Sequence, residues 1–124
     1  MEMLFWLLVG HALGDFAWQT DWIAQYKSRH TIPPNTKSQR PSLVWIHVLS
    51  AHCMVHAGLV ALFTGSLWLG VAEFIAHAII DFLKSDSRFG FHTDQILHMA
   101  CKVVWVGIAM ATGIYASAPI LQLF

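Results

Sequence analysis

The sequence is poor in charged residues, and this shortage bounds the class of protein. Only 11% of its 124 residues are Asp, Glu, Lys or Arg, whereas 56% are hydrophobic and the mean hydropathy is +0.56. Because soluble domains carry about a quarter charged residues, this composition favours a membrane protein. The net charge is zero, so no basic surplus indicates nucleic-acid binding.

Cysteines and targeting signals are also scarce. The two cysteines, Cys53 and Cys101, have no CxxC spacing, which argues against a disulfide framework, and we interpret both as small core residues. The N-terminal apolar run lacks a preceding basic region and an A-x-A cleavage site. We therefore expect it to be a retained span and not a signal peptide.

Four apolar segments dominate what is present. They cover residues 3–22, 42–64, 67–84 and 93–116, and polar stretches at residues 25–41 and 85–92 are predicted loops. About 20 apolar residues in a helix cross roughly 30 Å of hydrocarbon. We therefore predict a single all-α domain over residues 1–124, an integral membrane four-helix bundle.

Basic residues mark one side of the predicted membrane. None lies at the N-terminus, in the Gly65–Ser66 turn or at the C-terminus. Lys102 is within the fourth apolar segment, and the other six lie in or beside the two polar stretches: Lys27, Arg29, Lys37, Arg40, Lys84 and Arg88. By the positive-inside rule, both loops face the cytoplasm. We expect an inner-membrane protein with both termini outside, surrounded by the lipid bilayer.

An internal repeat relates the two halves of the chain. The pattern His-Ala-x-x-Asp-Phe starts at His11 and again at His77, and a looser match relates residues 42–47 to residues 93–98. The bundle is therefore predicted to consist of two αα-hairpin repeats, related by a pseudo-twofold axis along the membrane normal. A homodimer is compatible with so thin a bundle.

The repeated positions carry imidazoles and carboxylates, which suit a divalent transition metal such as Zn, Mn or Fe. Two symmetric half-sites favour a dinuclear centre. The predicted metal ligands are His11, Asp15, His47, His77, Asp81, Asp94 and His98. The predicted catalytic groups are Asp15, Asp94 and Lys84. The predicted substrate contacts are Gln19, Lys27, Lys84 and Gln95, of which the two lysines would attract an anion.

Other polar or small residues have simpler interpretations. His52 and His56 have no carboxylate partner in the sequence, so a core or proton-relay role is favoured over ligation. Two interpretations of Glu73 stay open: it lies at or beside the metal site, or it lies in the outer half of the predicted membrane. Three glycines are interpreted as points of close helix packing: Gly14, Gly58 and Gly107.

These motifs resemble a family of small bacterial and phage membrane proteins, the domain of unknown function 3307 family. The resemblance rests on His11-x-x-x-Asp15-Phe16-x-x-Gln19, Lys27, His47, His77-x-x-Ile80-Asp81-x-x-Lys84 and Asp94-Gln95-x-x-His98. It covers nearly the whole chain. The resemblance implies a multi-pass topology and assigns no activity.

The first functional hypothesis is a metal-dependent hydrolase or transferase that acts on a phosphate-bearing or lipid-linked substrate at the cytoplasmic face. An unligated Asp or His would be the general base. A proton or metal-ion carrier that uses the same His and Asp residues is the second hypothesis. A bis-histidine haem protein is disfavoured by the carboxylates beside each His. A non-catalytic membrane interaction protein also stays open.

Overall fold

The computed structural model describes residues 2–34 and 43–114, and every regular element in these ranges is helical. This confirms the all-α class. Helix α1 continues into one turn of π-helix, and four further helices follow. The elements are α1 (Glu2–Ala12), the π-turn (Leu13–Ala17), α2 (Asp21–Tyr26), α3 (Val44–Thr64), α4 (Leu67–Ser85) and α5 (Phe91–Ala111).

The first apolar segment is not one helix, so the prediction of a continuous helix over residues 3–22 is wrong. The chain leaves the π-turn at Trp18, and Thr20 is extended and caps α2. The Thr20 hydroxyl accepts a hydrogen bond from the Ile23 backbone N–H at 3.3 Å. A threonine cap followed by an acidic residue is a recognised helix-start signal, and Thr20-Asp21 matches it.

Other helix ends differ from prediction by a few residues. Helix α5 begins two residues before position 93, because Gly90 is extended and precedes Phe91 directly. It ends at Ala111, short of position 116, and Gly113 follows with a φ of +77°. Helix α4 runs one residue beyond the predicted 67–84, and α3 begins at Val44. Residues 35–42 and 115–116, on which parts of these predictions fall, lie outside the described residues.

Helices α3 and α4 form a tight antiparallel hairpin. Gly65 ends α3 in the left-handed conformation, with a φ of +70°, which glycine adopts without steric cost. The Ser66 hydroxyl then accepts a hydrogen bond from the Leu69 N–H at 3.3 Å. The helices approach so closely that a Cβ on Gly70 would lie 2.8 Å from the Ala57 carbonyl oxygen.

The apolar core occupies one end of the bundle. It joins the start of α1, the end of α3, the start of α4 and the end of α5: Met3, Leu7, Val60, Phe63, Leu69 and Ala109. Helices α1 and α4 therefore run in one direction and α3 and α5 in the other. Contacts between α1 and α3, α3 and α4, α4 and α5, and α5 and α1 close the ring. Polar groups fill its other half.

Two of the described helices, α3 and α5, are long and apolar enough to cross a membrane. Helix α4 has a similar length but carries three Asp, Glu or Lys residues, Glu73, Asp81 and Lys84. Helix α1 is 11 residues long before the π-turn. Length and composition alone also fit the core helix of a soluble protein.

A charged cluster ties the segment after α2 to the end of α4. Arg29 donates two hydrogen bonds to the Asp86 carboxylate, at 2.9 and 2.6 Å, and the His30 imidazole lies 2.9 Å from the same group. The Arg29 guanidinium also lies over the Phe82 ring, 5.0 Å from its centroid. These contacts hold the segment that carries Lys27 against the bundle.

The Asp86 cluster should contribute stability that depends on pH. The hydrogen bond from His30, followed by that from Arg29, lowers the pKa of the Asp86 carboxyl in the folded chain. The stabilisation is therefore fully present above the ordinary carboxyl pKa of about 3.9 and is lost as the pH falls through the lowered value. We expect Asp86→Asn to lower the unfolding temperature at pH 7 but not below the lowered pKa. An equal difference at both pH values would contradict this.

Candidate metal centre

The π-turn places Asp15 inside the bundle. The Trp18 backbone N–H donates to the Leu13 carbonyl at 2.8 Å, a five-residue step that widens the helix. Such turns are rare and frequently occur at functional sites. Gly14 and Asp15 are both buried in this turn. A Cβ on Gly14 would lie 2.3 Å from Cε1 of His56, so this position leaves no room for a side chain.

Three imidazoles from two helices, α3 and α4, converge on the Asp15 carboxylate and form a group of four with it. Its Oδ1 lies 3.1 Å from Nε2 of His56, 3.3 Å from Nε2 of His52 and 3.9 Å from Nε2 of His77. The Nε2 atoms of His52 and His77 are 3.2 Å apart. Ligands of a tetrahedral ion at 2.0–2.1 Å would be separated by roughly 3.4 Å. The four groups therefore have spacings that suit one metal ion.

A second set of donors lies beside the first. Nε2 of His98 is 3.4 Å from Oδ1 of Asp81 and 3.5 Å from Oδ1 of Asp94. His77 joins this set through Asp81, whose Oδ2 is 3.8 Å from Nε2 of His77. The rings of His77 and His98 are stacked with their centroids 4.1 Å apart. Asp15, Asp94 and His98 form a further potential ligand set, so the two sets overlap.

Several of these buried atoms make no well-aligned hydrogen bond in the described part of the chain, although an opposite group lies within 3.5 Å of each. They include Nε2 of His56, Nε2 of His98, Oδ1 of Asp15 and Oδ1 of Asp94. A buried polar atom without a partner is costly, and at least four such atoms at one place are unusual. All four belong to the two donor sets, so metal ligation would satisfy them together.

His77 is held by a carboxylate on its other ring nitrogen. Nδ1 of His77 lies 3.2 Å from Oε1 of Glu73, which also accepts from Nζ of Lys102 at 2.5 Å. The Trp105 indole donates to Oε2 of Glu73 at 2.6 Å. A carboxylate on the far nitrogen is the usual way in which proteins orient a ligating histidine. Glu73 therefore lies beside the donor sets, one histidine removed from them.

Two lysines contact the carboxylates of the two donor sets, each through an Oδ2 atom. Nζ of Lys27 is 2.5 Å from Oδ2 of Asp81, and Nζ of Lys84 is 3.1 Å from Oδ2 of Asp94. The Gln95 amide donates to Oδ2 of Asp15 at 3.0 Å and to Oδ2 of Asp94 at 3.1 Å. Its Oε1 lies 3.2 Å from Nε2 of His11. Cationic and amide donors thus contact one oxygen of each of these three carboxylates.

The structure brings most of the sequence-predicted site residues together, with two exceptions. His47 is exposed on α3 and contacts none of the donor sets, because it lies five residues before His52 and so faces away from it. Gln19 instead donates to the backbone carbonyl of Asp15 at 3.1 Å. His11 lies at the margin, with its Nε2 3.7 Å from Oδ2 of Asp15.

His52 and His56 lie among the candidate ligands, whereas the sequence favoured a core or proton-relay role for them. No carboxylate lies near them in the sequence, and their carboxylate partner is Asp15, which lies on the π-turn. The available signal was their own spacing, since residues four apart share one face of a helix.

Comparison with known proteins identifies a family and no activity. A family model described as protein of unknown function (DUF3307) matches residues 3–121, which confirms the resemblance in the motifs. No curated protein and no solved structure matches the chain.

Proposed function

We propose that this chain, which belongs to the DUF3307 family of proteins of unknown function, is a multi-pass inner-membrane metalloenzyme. In this proposal it binds two divalent transition metal ions and hydrolyses or transfers a phosphate-bearing or lipid-linked substrate at the cytoplasmic face. The observation that carries the proposal is the set of buried Nε2 and Oδ1 atoms that lie at ligand spacing and make no well-aligned hydrogen bond in the described part of the chain.

The membrane assignment is supported by the positions of apolar and charged side chains, which are the reverse of those in a soluble protein. Large apolar side chains cover the outside of the helices: Trp68 is 82% exposed, Leu67 75% and Met110 64%. The interior, in contrast, holds fully buried Asp81 and Lys102. Apolar surface of this extent needs a covering, and ionisable residues within membrane helices face the bundle interior. The distribution of Lys and Arg favours cytoplasmic loops and external termini.

The dinuclear arrangement is supported by the overlap of the donor sets. Asp15, His52, His56 and His77 would hold one ion. His98 would hold the other, either with His77 and Asp81 or with Asp15 and Asp94, so Asp15 and His77 each belong to two potential ligand sets. Imidazole and carboxylate ligands suit Zn, Mn or Fe, and so mixed a donor set does not select among these metals.

The surrounding residues have roles that suit phosphate chemistry. Paired divalent ions supply activation of water and a clamp for phosphate oxygens. Lys27 and Lys84 lie where they would attract an anionic group and neutralise its charge. Gln95 would hold the carboxylates of Asp15 and Asp94 in position, and either carboxylate could serve as the general base when it is not ligated.

Metal content measured by mass spectrometry tests this proposal directly. Chain purified in mild detergent without chelator should contain about two transition metal ions, as in two-ion phosphoryl-transfer sites, and His98→Gln should lose at least one. The purified protein should also cleave a phosphoester in a metal-dependent manner. His92→Gln is the matched control, because His92 is exposed on the same helix. Stable protein that stays metal-free after supplementation would refute the metalloenzyme proposal.

A carrier of protons or metal ions is the second candidate. It is favoured by the polar groups that continue past the donor sets, from His77 through Glu73 to Lys102 and Trp105. In a carrier such a chain would extend the path toward the outer side. Metal-free protein that moves protons into vesicles, and loses this activity in Glu73→Gln, would favour the carrier over the enzyme.

A further inference from the structure

An apolar groove lies between the segment around α2 and the first half of α3. It has a volume of about 650 Å³. The lining includes Trp18 and Trp22 on one side and Val48, Ala51 and Val55 on the other, with His52 at the inner end. Pockets of this size bury most of a drug-sized ligand.

The groove leads to the donor sets. His52 lines the groove and also places its Nε2 3.3 Å from Oδ1 of Asp15. Gly14 lines the groove too, and because glycine has no side chain, the His56 ring lies directly beside it. A molecule in the groove would therefore lie directly beside the candidate metal centre.

We propose that this groove holds the hydrocarbon chain of the lipid substrate, whose phosphate lies at the His–Asp cluster. This inference rests on the proposed function and narrows its substrate class to a membrane lipid phosphate. The lining is nearly all apolar, so a wholly polar phosphoester would gain little from it. A buried hydrocarbon chain would gain about 25 cal/mol per Å² of apolar area.

The tryptophans support a lipid occupant. Trp18 and Trp22 are 53% and 50% exposed. Both line the groove where the helix is interrupted between the π-turn and α2. Half-exposed indoles are typical of the level where lipid headgroups meet hydrocarbon. A lipid that enters there would have its chain along α3 and its headgroup near Lys27, whose ammonium group already contacts Asp81.

Native mass spectrometry with dioleoyl phosphatidic acid tests the groove. We expect a one-to-one lipid adduct that excess glycerol 3-phosphate, the headgroup without chains, fails to displace. Ala51→Trp fills the groove and should weaken the adduct at least about tenfold, which is about 1.4 kcal/mol. Val55→Trp is a second groove-filling variant. Leu62→Trp is the matched control, because Leu62 is 58% exposed on the same helix outside the groove.

The outcomes separate this inference from the proposed function. Metal-loaded protein whose lipid affinity is unchanged by both groove variants would overturn the groove assignment alone. Displacement of the lipid by glycerol 3-phosphate, or a dimer that forms in place of the adduct and is broken by Ala51→Trp, would also overturn it. Metal-free protein with a groove-dependent adduct would support the groove and refute the metalloenzyme.

Discussion

In the proposed metalloenzyme, Asp15→Asn is expected to abolish metal binding at both positions and to reduce activity at least about a thousandfold, equivalent to about 4 kcal/mol of transition-state stabilisation. Asp15 directs Oδ1 at His52 and His56 and Oδ2 at Gln95. Asparagine keeps the size of the side chain but loses the negative charge. Metal affinity should fall by more than the roughly 10–100-fold lost with an outer hydrogen-bond partner.

Asp21→Asn provides the control for this prediction. Asp21 is the next acidic residue along the chain and is exposed in the first turn of α2, so its replacement should leave the metal content unchanged. The measurements are metal content by mass spectrometry and phosphoesterase rate on the same samples. Asp15→Asn protein that keeps both ions and its activity would exclude Asp15 as a ligand.

Gly14→Ala is expected to disrupt the site through a steric clash. The new Cβ would lie 2.3 Å from Cε1 and 2.4 Å from Nε2 of His56, well inside van der Waals contact. His56 is 1% exposed and cannot move freely. Overpacking of this kind costs about 1–3 kcal/mol of stability. We expect a lower unfolding temperature and the loss of at least one metal ion.

A second substitution separates the clash from a general helix effect. In the double variant Gly14→Ala with His56→Ala, the imidazole is gone, so the unfolding temperature should recover while the metal remains absent. Gly107→Ala is the matched control, because its Cβ would meet no atom within 4 Å. It should raise stability by about 0.5–1 kcal/mol, as alanine favours helix. A Gly14→Ala protein as stable and metal-loaded as wild type would contradict the geometry.

The glycines illustrate what a sequence pattern leaves undecided. The glycines at positions 14, 58 and 107 were predicted to permit close packing, and of these three this holds only for Gly14. An added Cβ at Gly58 or Gly107 would meet nothing within 4 Å. Close approach depends on which helix face meets a neighbour, and helix periodicity alone does not specify the neighbour.

The sequence by itself determined the helical class, the family and most of the polar cluster. Apolar segments separated by polar stretches indicated the helices, because the pattern of apolar residues is read within one segment of the chain. The four-residue spacing of His77 and Asp81, and of Asp94 and His98, put each pair on one helix face. Their convergence on a common centre was predicted from the internal repeat that relates the two halves of the chain.

The tertiary structure alone decided which imidazoles join the cluster. The π-turn shifts the register after Leu13, and it brings Asp15 to His52 and His56, which no same-helix pattern could reveal. The tertiary structure also leaves His47 outside the cluster, because packing against α4 and α1 sets the direction in which each face of α3 points. Register shifts and helix rotation arise from contacts between segments distant in sequence, so the spacing of residues along one segment does not predict them.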